Sequence, residues 1–364
     1  MSVPTSPGFF ERRSLVTWAT IVLMALGVYW EVTTETDKWT DTTGLVTSAV
    51  FWLIYGVFVG WLIYKLQLFE HRPVTATIVA VAWGAFVAGG IVSLVGQDLQ
   101  SLYDKVLGFE TSREWGPALR APFIEETLKL LGVVALALIP RVNLSRIADG
   151  LYYGMLVGLG FTVSENAFFT NEAINIGGDS VGTALFDTFL SRGVFALPFS
   201  HIIYTGIAGA GIGYFMSRRE QSIVGRTLVA FGFFSVACVL HGFNNSPVLG
   251  DAEFALFIKG IPSLAVFFVV LWWARREYRD DLASLARGYE RITEDDLEAL
   301  SNRRHRRKAA HQAGDHHRAR RIQQAQIDLL VAGDIYGAPS DRAADAESAL
   351  AALIGSTAPD DTDD

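Results

Sequence analysis

The chain has 364 residues, 51% of them hydrophobic and only 19% charged, with a formal net charge of −8. Soluble enzymes of this size carry about 25% charged residues, so the composition argues against an ordinary soluble globular enzyme. The charge is unevenly placed as well: residues 1–274 hold 16 Lys+Arg and 20 Asp+Glu, and the 90 residues after them hold 14 and 18. An apolar body, 1–274, and a charged tail, 275–364, are expected.

A bilayer core about 30 Å thick needs roughly 20 apolar residues per helix. The body supplies eight such runs, near 14–33, 44–66, 74–96, 117–139, 149–171, 195–217, 224–246 and 254–274. The fold class is therefore all-α, a polytopic membrane protein of about eight transmembrane helices. Glu11, Arg12 and Arg13 precede the first run, which has no small-residue cleavage site and is read as a retained span. Basic residues at helix ends resist translocation. Placing the N-terminus inside collects Arg12, Arg13, Lys65, Arg72, Arg141, Arg146, Arg218, Arg219, Arg275, Arg276 and Arg279 on the cytoplasmic side. The acidic stretches 31–43, 171–187 and 247–253 fall opposite, with Lys38 as their one basic residue. Both termini are expected in the cytoplasm of a multi-pass cell-membrane protein.

An ionisable side chain at the bilayer centre costs about 2.5–3.5 kcal/mol on insertion scales, so each one asks for a partner or a function. The first three runs have none away from their ends, where Glu31 and Lys65 lie. The fourth carries Glu125, Glu126 and Lys129, the fifth Glu165, the sixth His201, the seventh His241, and Lys259 lies near the entry of the eighth. At 1.5 Å per residue, Glu125, Glu165, His201 and His241 all fall roughly 8–12 Å from the outer ends of their spans. Four antiparallel spans sharing one polar layer point to convergence on a single site.

Helical spacing refines that site. Glu125 and Lys129 share a face, as do Phe161 with Glu165 and His241 with Asn245. Glu125 and Glu126 differ by about 100° around the axis, so one can face a cavity while the other braces a neighbour. Pro122 removes a backbone donor and can kink the fourth span. Glycines at 154, 158 and 160 and at 206, 209, 211 and 213 allow the fifth and sixth spans to approach closely.

Such groups can hydrolyse an amide in two ways. In one, a glutamate takes a proton from water, a histidine protonates the leaving nitrogen and Asn245 donates to the oxyanion. In the other, Glu165, His201 and His241 hold Zn²⁺ with an open fourth position, and Glu125 or Glu126 is the base. The H-E-x-x-H spacing of many zinc peptidases is absent from the chain. Both routes stay open at this point.

E-E-T-L-K at 125–129, F-T-V-S-E-N at 161–166, the isolated His201 and H-G-F-N-N at 241–245 together resemble the motifs of the PrsW-type intramembrane proteases. That family is related to the CAAX prenyl endopeptidases. The resemblance spans about residues 44–274. It implies about eight membrane helices and a peptidase acting on a single-pass membrane protein, such as a membrane-anchored anti-sigma factor in stress signalling. It also implies that Glu125 and Glu126 carry the base function, with Glu165, His201 and His241 as further site residues. The family is classed as metalloprotease and its relatives look metal-free.

Other readings have their own tests. A proton- or cation-coupled transporter would use the same carboxylates, although no inverted repeat of broken helices is evident. A non-catalytic scaffold would depend on the tail. Arg192 and Asp187 are expected on a solvated face, and Cys238 as an inert buried thiol. In the tail, residues 303–321 set eight basic residues against Asp315, a pattern suited to anionic lipid. No nucleic-acid partner is expected, because the stretch lacks interleaved aromatics. The tail is expected to be partly helical and, over 335–364, disordered.

Overall fold

A computed structural model describes residues 14–38, 41–66, 72–139, 142, 144–196, 201–250, 253–300, 303–336 and 340–355. Their regular structure is helical throughout, with no strand among the described residues. Contacts divide the chain into two compact units at Ala274/Arg275.

The first unit begins with α1 (Leu15–Lys38) and α2 (Thr42–Leu66). The third predicted span is α3 (Val74–Ala82), a π-helical stretch Trp83–Ala88 and α4 (Gly89–Leu107) in succession. There follow α5 (Phe109–Leu119), α6 (Ala121–Ala137), α7 (Ile147–Asn175), α8 (Val181–Thr188) with a second π-helical stretch Phe189–Phe195, α9 (His201–Ser217), α10 (Ile223–Asn245) and α11 (Glu253–Ala286). Among the described residues, six helical segments are long and apolar enough to cross a membrane: Leu15–Thr33, Thr42–Leu66, Val74–Gly96, Ile147–Asn175, Ile223–Asn245 and Phe254–Ala286. Helices also form at the two other expected spans, α6 and α9, each 17 residues long.

The pattern of burial in α2 shows how such a helix is used. Gly44, Ser48, Trp52, Tyr55, Val59 and Ile63, at helical spacing, turn inward. Leu53, Ile54, Val57 and Phe58 remain exposed. A helix apolar on every side, with only one side packed, suits contact with lipid on the other. Among the inward groups, Trp52 Nε1 donates to Thr170 Oγ1 at 2.9 Å, and Tyr55 hydroxyl to the Gly193 carbonyl at 3.1 Å.

The hub is α7, which packs on α9, α3 and the first π-helical stretch. Gly150, Gly154 and Gly158 put its backbone against that of α9: a Cβ at these positions would overlap the carbonyl oxygens of Gly209, Thr205 and His201. Between membrane helices, where lipid is as apolar as the side chains, such close backbone approach supplies the packing energy. At the start of α7, Asp149 accepts from the Ser145 and Arg146 amides at 3.1 and 3.0 Å and pairs with Arg72 at 2.7 Å. A carboxylate in a first turn also meets the positive end of the helix dipole.

Two local expectations change. Pro122 does not kink a span; it lies in the first turn of α6, where a missing N–H breaks no helical bond. The residues before it form the separate helix α5, joined to α6 through Arg120. Cys238 is half-buried, its thiol 3.7 Å from the Pro122 carbonyl oxygen.

In the second unit, the last turns of α11 join α12 (Glu294–Leu300), α13 (Arg303–Gln312), α14 (His316–Tyr336) and α15 (Asp341–Gly355). Tyr278, Leu282, Tyr289, Leu300, Ile327, Leu330 and Leu350 form its core. The expected disorder over 335–364 is overturned for 341–355, where α15 buries Ala343 and Leu350; residues 356–364 lie outside the described ones. The composition of 335–364 is polar on average, but Ala343, Ala346 and Leu350 fall on one helical face that the unit covers.

Candidate active site

Helices α6, α7, α9 and α10 bring their ionisable residues to one place. On α6, Glu125, Glu126 and Lys129 are all buried. Glu126 Oε1 lies 2.6 Å from Lys129 Nζ and 3.1 Å from His241 Nδ1, and Oε2 accepts from Thr205 Oγ1 at 2.8 Å. Both oxygens of this fully enclosed carboxylate are therefore committed to protein partners.

Glu125 is turned differently. Its Oε2 lies 3.4 Å from Lys129 Nζ, 3.8 Å from His201 Nδ1 and 3.9 Å from His241 Nε2. Lys129 Nζ also donates to His201 Nδ1 at 2.8 Å and lies 4.1 Å above the Phe161 ring. One ammonium thus touches two carboxylates, an imidazole and an aromatic face. Charge neutralisation at this depth is what an ionisable cluster inside a membrane needs.

The imidazoles are fixed from behind. His201 Nε2 meets Glu165 at 3.0 Å and His241 Nδ1 meets Glu126 at 3.1 Å. Asn245 Nδ2 contacts His241 Nε2 at 3.1 Å and donates to the Pro117 carbonyl at 3.4 Å. The two rings meet edge to face with centroids 4.8 Å apart, and Tyr204 stacks on His241 at 5.0 Å. A cavity of about 450 Å³ opens against this cluster, lined in part by Glu125, Glu165, Asn166, Arg192, His201 and His241. Asn245 lines it too. Glu126 is absent from its lining, being shut behind Lys129, Thr205 and His241.

Glu125, His201 and His241 each offer a ligand atom, and these atoms all lie within 4.8 Å of one another. Each ring presents one nitrogen to Glu125 while a carboxylate holds the other, the arrangement by which metal-site histidines are oriented. Two imidazoles and a carboxylate with an open side fit a divalent cation such as zinc. The carboxylate in this set is Glu125. Glu165, expected there from the sequence, lies on the far nitrogen of His201 and pairs with Arg192.

Arg192, Asn166 and Thr205 were not among the expected site residues. Arg192 sits on the second π-helical stretch, where an extra residue per turn often accompanies a functional position. It is not on a solvated face: it pairs with Glu165, donates from Nε to Asn166 Oδ1 at 2.8 Å, and covers the Phe169 ring at 4.1 Å. Asp187 is exposed, as expected. Asn166 is buried, and its Nδ2 has no hydrogen-bond partner. Leaving such a donor unmet costs about 1–3 kcal/mol. Its signal in the sequence was its place as the last residue of the F-T-V-S-E-N motif, next to Glu165.

Residues 72–274 match the model of a family described as PrsW family intramembrane metalloprotease. The chain belongs to the PrsW family. The match begins 28 residues later than the motifs alone suggested and ends at the same residue. It contains all four converging helices. With six apolar helices beside it, the assignment makes the chain a multi-pass membrane peptidase. No curated protein and no solved structure matches the chain.

Proposed function

We propose that the protein hydrolyses peptide bonds of single-pass membrane proteins, a membrane-anchored anti-sigma factor among the candidates, at the cavity between α6, α7, α9 and α10. The observation that carries this reading is the meeting of Glu125, Glu165, His201 and His241 on one cavity wall. In this reading α6 and α9 complete eight crossings, both termini are cytoplasmic, and the second unit is a cytoplasmic domain.

Glu125 and one nitrogen each of His201 and His241 form the place where a divalent cation would be held, in exchange for the contacts that Lys129 Nζ makes with His201 Nδ1 and Asn245 Nδ2 makes with His241 Nε2. When bound, such an ion polarises a carbonyl and lowers the pKa of water. Among the protein groups, Glu165 is the best placed to move a proton. It lines the cavity, and its side chain is 21% exposed, against 8% for Glu125 and none for Glu126. It accepts a proton from the attacking water and returns it to the leaving nitrogen. Glu126, Lys129 and Thr205 position the rest: Glu126 orients His241, and Lys129 balances the paired carboxylates.

The test uses purified protein in liposomes with a fluorogenic single-pass transmembrane peptide. Cleavage should fall about 10²–10⁴-fold in Glu165→Gln, the range for a lost general base. Stripping metal with a chelator should abolish it, and zinc should restore it. Cleavage that survives chelation in metal-free protein would exclude the metal-holding role of Glu125, His201 and His241; cleavage unaffected by Glu165→Gln would exclude the base.

We propose a lipid partner for the tail as well. Arg304, Arg307, Lys308 and Arg320 are exposed on α13 and α14, and each such charge near an anionic surface contributes about 1 kcal/mol. The full chain, reconstituted in vesicles, should show its tail protected from trypsin when phosphatidylglycerol is present. Reversing Arg304, Arg307 and Lys308 to Glu should remove that protection; equal protection in zwitterionic vesicles would refute a charge-based contact.

A further inference from the structure

We infer that the side-chain amide of Asn166 is the donor that meets the carbonyl oxygen of the scissile peptide. The inference rests on the proteolytic reading of the cavity and adds to it the group that receives the developing negative charge. When water adds to the carbonyl carbon, its proton passes to Glu165 and the C=O electron pair moves to oxygen. When the C–N bond breaks, that pair returns and the nitrogen takes the proton. A fixed N–H aimed at that oxygen stabilises the state between.

Three observations converge on Asn166. It follows Glu165 directly on α7 and lies in the wall of the same cavity. Its Oδ1 accepts from Arg192 Nε at 2.8 Å, which sets the orientation of the carboxamide and makes the other end the donor. That donor, Nδ2, is buried and has no acceptor, although the residue is only 1% exposed. A membrane protein with few polar groups in its spans has enclosed an amide N–H beside its acid cluster and left it unmet. A peptide carbonyl entering the cavity supplies the missing acceptor.

Asn245, the amide expected from the sequence to do this, is already engaged. Its Nδ2 lies 3.1 Å from His241 Nε2 and 3.4 Å from the Pro117 carbonyl oxygen, so the amide is turned toward the histidine and the backbone of α5. Its role is to orient His241. The arginine commits its Nε to Asn166 Oδ1 and its Nη2 to Glu165, and its guanidinium covers the face of Phe169.

The experiment compares Asn166→Asp, Asn166→Ala and Asn166→Ser with the parent protein in liposomes, measuring kcat and KM for a fluorogenic single-pass peptide. Aspartate keeps an oxygen for Arg192 and loses the donor; alanine loses both; serine restores a short donor. Aspartate and alanine should each lower kcat about 10²–10³-fold with KM little changed, because the bond strengthens only in the transition state. Serine should recover part of the alanine loss. If aspartate retains the parental kcat while alanine loses it, Asn166 only anchors Arg192 and the inference is overturned. Parental rates in every variant would overturn it too. A parent protein that cuts no peptide would remove the proteolytic reading itself, and the inference with it.

Discussion

Replacing Lys129 with Met is expected to cost the protein about 3–5 kcal/mol, the penalty for stripping the partner from buried charge. The ammonium stands 2.6 Å from Glu126 and 3.4 Å from Glu125 and donates to His201 at 2.8 Å. Methionine fills nearly the same volume, so the loss is electrostatic and leaves little cavity. The variant should unfold at markedly lower denaturant in detergent micelles and accumulate poorly in membranes. A compensating change separates charge from packing. In Lys129→Met with Glu126→Gln, one negative charge goes with the positive one, and the carboxamide can still accept from Thr205. The double variant should regain a large part of the lost stability, because contacting residues couple by about 0.5–3 kcal/mol. Its activity should stay low, since His241 Nδ1 loses the carboxylate that orients it. A single Lys129→Met variant as stable as the parent would mean that this ammonium does not balance the pair.

The same cluster shows what a sequence can disclose about such a site. Ionisable residues are so costly inside a bilayer that Glu125, Glu126, Lys129, Glu165, His201 and His241 stood out against an apolar background, and helical rise placed four of them at one depth. Depth is a property of a single helix; direction around the axis relative to neighbours is not. For that reason the sequence could not tell which carboxylate joins the two imidazoles, and Glu125 holds that position while Glu165 approaches His201 from behind. Arg192 escaped for a different reason. It precedes the sixth apolar run in a short amphipathic stretch, and only the π-helical turn at Phe189–Phe195 directs it inward. The helix α15 was missed because averaged polarity hides one apolar face, which matters only when other helices are there to cover it. Helix breaks gave a similar difficulty: a proline serves either as a kink or as the first turn of a new helix, and Pro122 alone does not say that α6 starts just before it, after the break at Arg120.

Helix α7 fixes the site as much through what it lacks as through Glu165, and Gly158→Ala should show this. An added Cβ would overlap the His201 carbonyl oxygen and lie 2.7 Å from its carbon and 2.9 Å from Ile202 Cα. All three atoms are backbone, so no side chain can swing away; α7 and α9 must part. His201 is the first residue of α9 and links Lys129 to Glu165, so any such separation shifts the imidazole against both. Overpacking of this kind costs about 1–3 kcal/mol in stability. The functional loss should be larger, because a displacement near 1 Å of a reacting group can cost about 10²-fold in rate. Gly232→Ala on α10 provides the control, since nothing lies within 4 Å of a Cβ there; its better helix propensity makes it neutral or slightly stabilising. Peptide cleavage and detergent unfolding should therefore separate the two alanines, with Gly158→Ala far more damaged in rate than in stability. If both variants cleave at the parental rate, the close contact of α7 and α9 does not set the position of His201, and the geometry assigned to the imidazole pair fails with it.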